Sequence, residues 1–420
     1  MNVQQTKDIR AIVLEYKSIS TMQPKKILAI VCVPVLQKDI AYGGGVLLTF
    51  QGLKKIFEQE GHSFTILSCW NGLDYATSHL YPGFRDFPPT KRNLRKMEAA
   101  IRSHDIILMS DNSTGLDVIL LCGKHKKPLV FLHLTAIGKV IAGAVPNWSF
   151  IMCPAIKMYG KICSKMCSKV LTVSKWIQQT RLKQGWKIDG VVNQNFKCGI
   201  FLKTDRKKEI KNLRTNILKE CPHKTKIIMY AGRFSKEKRI DKLVPAKPND
   251  CILLIIGDGP HAKDVLKLHD IKNGVIVKRG MVTQDILRKY FKASDAVVSA
   301  SRMETFGMTV LEAYFSGTMS IVENFGGFIE QINELNCGKL VSFDDFEATK
   351  RIIEDSINTK ETVKFNKYKG QHLVLTEAIL STKNPVECDK SFGFYLLLCL
   401  YHLVMFVFDL FVWKITPVRD

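Results

Sequence analysis

The feature that most constrains the fold is a series of short, continuous apolar runs that end near glycine turns. The first run follows Lys25-Lys26 and ends at Val33, and Gly43-Gly44-Gly45 comes ten residues later. A predicted helix over 46–60 then leads to a second apolar run, Ser63–Leu67. Uninterrupted apolar runs of this length are typical of strands buried on both faces of a parallel sheet. Strand, helix and strand together predict a βαβ unit.

The pattern continues through most of the chain, in two series. Since 420 residues exceed the size at which a single core stops growing, two domains are expected. We predict two tandem doubly wound domains of the α/β class over 25–200 and 201–380, preceded by an extension over 1–24. The further strands are predicted at 105–109, 128–132, 169–174, 190–192, 226–230, 251–256, 275–278, 296–299 and 320–323.

The charge is high and unevenly distributed. The formal net charge is +23, and residues 1–200 carry 27 Lys and Arg against 12 Asp and Glu. Such a charge predicts an acidic partner: nucleic acid, an anionic membrane or a phosphorylated substrate. No nucleic-acid-binding motif accompanies it, so we expect no nucleic-acid partner. The 12 cysteines show no zinc-binding spacing, and the first twenty residues hold no apolar run long enough for a signal peptide.

Two glycine turns in the second half follow predicted strands. The first, Gly232-Arg233, is followed by Lys238, and the second is Gly257-Asp258-Gly259-Pro260. A glycine turn at the carboxyl end of a strand lets backbone N–H groups approach an anion, and the two bases add positive charge there. Each turn alone is also consistent with an ordinary surface turn.

Two glutamates eight residues apart lie in the next segment. Glu304 precedes a loop at Phe306-Gly307, and Glu312 lies within a helix predicted over 308–316. The apolar neighbours of Glu312 indicate a largely buried helix, in which a carboxylate needs a partner. A fourth feature, the turn Asn324–Glu330, again follows a predicted strand.

These four features, in this order and at this spacing, resemble the retaining glycosyltransferases of family 4, which have the GT-B fold. The resemblance extends over about 100 residues, from Gly232 to Glu330. It implies two Rossmann-like domains with a donor cleft between them. The first half matches more loosely, at the glycine loop with Gly43 and Gly44 and at His133, which follows a predicted strand.

The resemblance also implies roles for individual residues. Arg233 and Lys238 would neutralise the departing diphosphate, and Glu304 would contact the transferred sugar. His133 would face the sugar from the other domain, although a buried histidine that is hydrogen-bonded in place is the alternative. The remaining donor-binding positions are Gly43, Gly44, Gly232, Gly257, Phe306, Gly307 and Glu312, the last of which would hold the ribose.

Two positions depart from the family pattern. Arg239 stands where glycine usually follows the Glu-Lys pair, and Met319 stands where proline is common. Neither removes a reacting group, but Arg239 alters the residue next to Lys238. The implied reaction is a retaining hexosyl transfer with departure of a nucleoside diphosphate. No cofactor is implied, and since no carboxylate cluster is evident, no metal is expected.

The basic first half points to a membrane-associated acceptor. Lys157, Lys161, Lys165 and Lys169 recur every four residues on a predicted helix, next to an apolar, proline-punctuated segment over 145–154. Basic and apolar residues side by side are typical of a surface that docks on anionic lipid. This layout resembles lipid-directed members of the family, such as the diacylglycerol glycosyltransferases. A soluble enzyme acting on a sugar, polysaccharide or protein, or an inactive GT-B binding subunit, remains the alternative.

The C-terminal segment differs in composition from the rest. The segment 391–414 includes a nearly continuous apolar run, Phe392–Trp413. As a helix these 22 residues would extend about 33 Å, enough for a bilayer core of about 30 Å. We therefore predict a hydrophobic C-terminal helix that anchors the protein, with the catalytic domains facing the cytosol. A core helix that packs on the first domain is the alternative.

Overall fold

The computed structural model describes residues 23–31, 44–68, 91–110, 116–134, 149–192, 205–359, 363 and 372–386. The chain divides into two compact units. Unit 1 consists of residues 1–173, 177–196 and 369–420, and unit 2 of residues 174–176 and 197–368.

The described part of unit 1 is built on a parallel sheet of six strands in the order β2-β1-β3-β4-β5-β6. Apolar residues fill β1, β3 and β4 without alternation, because helices cover parallel sheets on both faces. The strands are β1 Lys26–Val31, β2 Ser63–Ser68, β3 Ile106–Ser110, β4 Leu129–His133, β5 Lys169–Thr172 and β6 Gly190–Val191.

Helices alternate with these strands along the chain, as expected of βαβ units. Those of unit 1 are α1 Gly44–Gln59, α2 Lys91–Ser103, α3 Leu116–Lys124, α4 Ser149–Met166, α5 Lys175–Leu182 and α12 His372–Leu380; the first two residues of α5 belong to unit 2. Two hydrogen bonds join the last described segment, residues 372–386, to the rest of unit 1. Lys169 Nζ donates to the Ala378 carbonyl at 2.8 Å, and Val386 N donates to the Lys127 carbonyl at 3.2 Å.

Unit 2 is also built on a parallel sheet of six strands, but in a different order, β12-β11-β10-β7-β8-β9. Its strands are β7 Lys226–Ala231, β8 Cys251–Gly257, β9 Val275–Arg279, β10 Ala296–Ser299, β11 Met319–Glu323 and β12 Gly338–Val341. Its helices are α6 Lys207–Glu220, α7 Ala262–Leu266, α8 Gln284–Ala293, α9 Met308–Ser316, α10 Gly327–Leu335 and α11 Phe346–Asn358.

Residues 174–176 belong to unit 2 because their backbone is bound there. The carboxylate of Glu330 on α10 accepts the N–H groups of Lys175 and Trp176 at 2.9 and 2.6 Å. The Trp176 ring also packs edge-on against Phe325 at 5.3 Å between centroids. A short stretch of chain distant in sequence is thereby tied to the turn that follows β11.

The predicted doubly wound architecture is confirmed, with two differences. The sequence did not predict β12, whose first three residues are half-buried and include Lys339. Lys169 begins β5 rather than continuing α4, so the predicted lysine stripe ends with that helix at Met166. The C-terminal helix predicted over 391–414 and the extension 1–24 lie outside the described residues, apart from positions 23 and 24. Within the described ranges, no helix has both the length and the apolarity needed to cross a bilayer.

Candidate functional site

The sequence-predicted residues of unit 2 follow the carboxyl ends of neighbouring strands. Gly232, Arg233 and Lys238 follow β7, Gly257 ends β8, and the loop from Ser301 to Gly307 follows β10. Parallel strands end at one edge of their sheet, so these loops share that edge. Loops at the carboxyl edge of a doubly wound sheet are where such folds bind ligands.

Backbone hydrogen bonds hold the first two turns together. Gly232 N donates to the Ile256 carbonyl at 3.1 Å, and Phe234 N donates to the Asp258 carbonyl at 2.8 Å. The approach requires glycine at position 257, where φ is +155° and a Cβ would collide with the Gly232 carbonyl oxygen. The glycines predicted as anion-binding residues therefore also serve to bring two loops into contact.

Arg233 is paired within its own turn. Its Nη2 donates to Oε1 of Glu237 at 2.6 Å, and the Ser235 hydroxyl donates to the same oxygen at 2.6 Å. Burial alone would raise the pKa of Glu237, but the Ser235 hydrogen bond and the Arg233 charge outweigh it, so the pKa is lowered. The Arg233 side chain is 52% exposed. A charged, half-exposed guanidinium can exchange its carboxylate partner for a phosphate.

Lys238 and Glu304 form an ion pair between Nζ and Oε1. Both side chains are largely buried, at 19% and 18% exposure. Tyr230 lies nearby, and its pKa is raised well above the ordinary value by burial first and then by the Glu304 and Glu237 carboxylates. Its hydroxyl donates to the Arg233 carbonyl at 3.0 Å, which links the strand end to the turn.

Helix α9 begins as the sequence predicts, directly after Gly307. Gly307 has φ +87°, a left-handed conformation that glycine adopts without strain, and a Cβ there would come within 2.9 Å of the Phe328 ring. No side chain caps this helix start. Phe306 is buried, and Glu312 is half-buried between Leu311 and Ala313, which are both buried. The positive end of the α9 dipole therefore lies next to the Glu304 loop.

The turn after β11 supports that loop. Gly327 N donates to the Glu304 carbonyl at 2.9 Å. A Cβ at Gly326 would collide with the same carbonyl, and one at Gly327 would lie 2.6 Å from the Phe306 Cα. The predicted turn Asn324–Glu330 therefore packs against the loop that carries Glu304 and Phe306.

Arg239 occupies a glycine-like backbone conformation, with φ +50° and ψ +43°. The left-handed region costs a residue with a side chain roughly 1–2 kcal/mol. The turn after Lys238 therefore has a backbone conformation that glycine adopts without strain, although the residue there is arginine. Its guanidinium pairs with Asp344 and lies 3.5 Å from Oε1 of Glu323.

The remaining sequence-predicted residues lie in unit 1. Gly44 is the first residue of α1, and Gly43 lies outside the described residues. His133 ends β4 and is fully buried, at 0% exposure. Its Nε2 accepts a hydrogen bond from Arg181 Nε at 2.8 Å, and its ring packs against Trp186 at 5.1 Å between centroids. This environment matches the alternative of a histidine hydrogen-bonded in place, and contact with a sugar stays a prediction.

Sequence reasoning did not find the partners of these groups. Glu237 lies within the first motif, but Glu323, Asp344 and Arg302 were not singled out. Arg302 donates from Nε to Oε1 of Glu323 at 2.8 Å and lies 2.6 Å from Asp344 through Nη2. Their only signal is position, because each lies within three residues of the carboxyl end of β10, β11 or β12.

Residues 214–376 match a protein-family model described as glycosyl transferases group 1. The matched stretch begins in α6 and ends in α12, so it contains all the candidate site residues of unit 2.

Curated relatives match over shorter stretches of 120 and 122 residues. The chain is 36% identical over 120 residues to an uncharacterised glycosyltransferase of Methanocaldococcus jannaschii, covering 26% of this chain and 30% of that protein. It is 33% identical over 122 residues to the alpha-monoglucosyldiacylglycerol synthase of Streptococcus pneumoniae, covering 27% of each. The alignments thus span about a third or less of these relatives.

A solved structure covers most of the chain. A protein of Anabaena, crystallised in complex with UDP, aligns with 85% of this chain and 96% of its own at a TM-score of 0.58. The two are 16% identical, so the likeness concerns the fold. It confirms the GT-B architecture predicted from the sequence.

Proposed function

We propose that the chain, whose residues 214–376 match the group 1 glycosyltransferases, transfers a hexosyl group from a nucleotide-diphosphate sugar to an acceptor. The supporting observation is the carboxyl edge of unit 2. There Arg233, Lys238 and the uncapped start of α9 supply positive charge beside Glu304.

The charges suit a leaving group that becomes more negative as the reaction proceeds. Lys238 and Arg233 each have a carboxylate partner, so the four side chains together are neutral. A diphosphate brings extra negative charge, which the two bases and the α9 dipole stabilise as the bond to the sugar breaks. Catalysis through fixed charges of this kind needs no enzymatic nucleophile.

Binding of the leaving group tests the donor part of the proposal. UDP, GDP, ADP and CDP are each added to the full chain, and the melting temperature is measured. A diphosphate that binds the native state at about 100 times its Kd adds about 2.7 kcal/mol of stability. Sugar derivatives of the same four nucleotides are then added, and release of the nucleoside diphosphate is measured. A chain that responds to none of the four and releases none would contradict the proposal.

We further propose that the transfer retains the anomeric configuration. Glu304 is engaged by Lys238 and is assigned to contact with the sugar rather than to attack on it. The departing phosphate then accepts the proton of the incoming hydroxyl on the same face of the sugar. An NMR spectrum of the first product gives the configuration directly, and an inverted product would exclude this mechanism.

Metal independence is part of the same proposal. The stabilising charges are assigned to side chains and to a helix start, and the sequence lacks the carboxylate cluster that Mg²⁺ or Mn²⁺ prefers. We expect turnover to survive EDTA. Full loss on chelation, restored by Mg²⁺ or Mn²⁺, would contradict this part alone.

For the acceptor we propose a membrane lipid. On α4, Lys157 and Lys165 are exposed, and Met158 between them is 54% exposed. Lys161 lies one turn from each and is half-buried. Exposed bases around an exposed apolar side chain suit an anionic bilayer surface, where each base contributes about 1 kcal/mol. One of the matched relatives, the alpha-monoglucosyldiacylglycerol synthase of Streptococcus pneumoniae, is named for a lipid.

Vesicle binding tests the acceptor surface. Changing Lys157, Lys161 and Lys165 to Glu should weaken binding to anionic vesicles by about a hundredfold, and salt should weaken the wild type. The control reverses Lys207, Lys208 and Lys211, which are all exposed on α6 of unit 2. Equal losses in both triple variants would mean that total charge, and not this face, controls binding. Binding to neutral vesicles as tight as to anionic ones would also contradict the proposal.

A further inference from the structure

Arg239 keeps a conformation that disfavours every side chain. Only three described residues other than glycine have positive φ: Lys126, Arg239 and Asn336. Asn336 ends α10, where the left-handed conformation is common for asparagine. Lys126 lies in a helix-end turn of unit 1. Arg239 alone among them is next to a residue of the candidate site, and strain at such a place indicates that the side chain has a role there.

The side chain of Arg239 enters a cluster of ionic groups at the ends of three strands. Its guanidinium pairs with Asp344, which follows β12, and lies 3.5 Å from Glu323, which ends β11. Lys242 lies 3.9 Å from Asp344 at the edge of the cluster. Glu323 is 3% exposed, and its second oxygen accepts the Phe343 N–H at 2.9 Å. The Glu323 carboxylate is therefore held in a fixed position at the end of the sheet.

Arg302 binds the same two carboxylates, those of Glu323 and Asp344. Its Nε and Nη2 both lie 2.8 Å from Oε1 of Glu323. Hydrogen bonding to Glu323, followed by the charges of Glu323 and Asp344, raises the pKa of Arg302. Arg302 is two residues before Glu304, and Arg239 is one residue after Lys238. The two arginines beside the Lys238–Glu304 pair thus lie within ion-pair distance of the same two carboxylates, Glu323 and Asp344.

We infer that Arg239 and Glu323 are positioning residues that hold Lys238 opposite Glu304. The inference rests on the proposed function, since it names residues that set up the charges of the same site. Glu323 anchors the loop of Glu304 by its hydrogen bond with Arg302, and Glu323 and Asp344 together anchor the loop of Lys238 through their ion pairs with Arg239. Neither Arg239 nor Glu323 is assigned a contact with substrate. The strained backbone at Arg239 is compensated by the ion pairs that a glycine could not make.

Two substitutions at position 239 separate positioning from stability. Arg239→Gly removes the guanidinium and relieves the backbone, whereas Arg239→Ala removes the guanidinium and leaves the backbone strained. We expect the melting temperature of Arg239→Gly to exceed that of Arg239→Ala by a few degrees. Turnover should fall about ten- to a hundredfold in both, because small displacements of catalytic groups cost rate steeply.

The conservative variant sharpens the test. Arg239→Lys keeps one charge but cannot contact two carboxylates with a planar fork, so partial recovery of turnover is expected. If turnover instead follows the melting temperature, with Arg239→Gly near wild type and Arg239→Ala low, Arg239 is a structural residue and the inference is wrong.

A second readout needs no turnover. Lys238 is 19% exposed, and its acylation by a small anhydride can be followed residue by residue by mass spectrometry. Loss of the Arg239 anchor should raise the labelling rate of Lys238 severalfold, while Lys267, which is exposed in unit 2, should be unchanged. An unchanged rate at Lys238 overturns the inference. If the wild type neither binds a diphosphate nor transfers a sugar but the labelling changes, the proposed function fails and the positioning of Lys238 stands.

Discussion

Both units are doubly wound α/β domains, but the arginine and lysine side chains at their sequence-predicted site residues have different surroundings. In unit 1, Arg181 is 7% exposed, donates to His133 and lies 4.6 Å above the Trp186 ring. In unit 2, Lys238 and Arg233 bind carboxylates at the ends of β7 and β10. Arg181 in unit 1 is packed among buried residues. Lys238 and Arg233 in unit 2 lie on loops, where a phosphate can replace their carboxylate partners. Similar sheets therefore do not imply similar sites, because function depends on the loops.

The largest expected effect separates turnover from stability in unit 2. Changing both Arg233 and Lys238 to Ala should lower turnover by at least about 10²–10³, the usual cost of losing one preorganised electrostatic contact. Arg233 is half-exposed and should contribute little to stability, whereas loss of Lys238 leaves the largely buried Glu304 carboxylate unpaired and should lower the melting temperature. Initial rates and melting curves on the same samples measure both. Wild-type turnover in the double variant would remove these residues from the mechanism.

Arg181→Ala tests the opposite behaviour in unit 1. The variant loses hydrogen bonds to His133 and Gln184, each 2.8 Å long, and the contact with Trp186. Leaving buried polar groups without partners should lower the free energy of unfolding by about 2–3 kcal/mol. Chemical denaturation measures it. A normal stability combined with a large loss of turnover would instead place Arg181 and His133 in the reaction, and the contrast between the units would fail.

The sequence predicted the scaffold better than the site. Helix α9 and strand β10 have the predicted bounds, because continuous apolar residues and a glycine mark them. β12 was missed, since its short, half-buried sequence has no such run. The Lys238–Glu304 pair joins residues 66 apart, and the Glu323 cluster joins three separate loops. Local patterns do not contain information about which distant charges meet.

His133 illustrates the same limit. Its place after a buried strand was predicted, and β4 does end there. Its burial depends on Arg181 and Trp186, which lie 48 and 53 residues later on other elements. Position at a strand end therefore did not determine whether the ring faces a ligand or the core.

Asp205 gives unit 2 a pH-dependent contribution that is independent of the site. It binds Arg288 at 2.6 Å and Lys292 at 2.8 Å, and the Arg288 hydrogen bond, against the opposing effect of burial, lowers its pKa to about 2. A lowered carboxyl pKa stabilises the fold above the unfolded pKa near 3.8, and this stability is lost as the pH falls towards 2. At pH 7 it amounts to about 2 kcal/mol.

Asp205→Asn should therefore lower the melting temperature at pH 7, and the gap from wild type should narrow between pH 4 and 3. The matched control is Asp285→Asn, which pairs with the same Arg288 but is 48% exposed and should have little effect. A gap that stays constant down to pH 3 would show that Asp205 acts by packing and not by charge.

The smallest expected effect concerns two helix starts in unit 2. Helix α11 begins after Asp345, whose carboxylate accepts the Ala348 N–H at 3.0 Å, whereas α9 begins after Gly307 without a side-chain cap. A cap of this kind contributes about 1 kcal/mol, so Asp345→Ala should lower the melting temperature by about 2–4 °C. Turnover should be unchanged, because the start of α11 is assigned to structure and that of α9 to the diphosphate. A loss of turnover without a loss of stability would extend the site to α11 and end this distinction between the two helix starts.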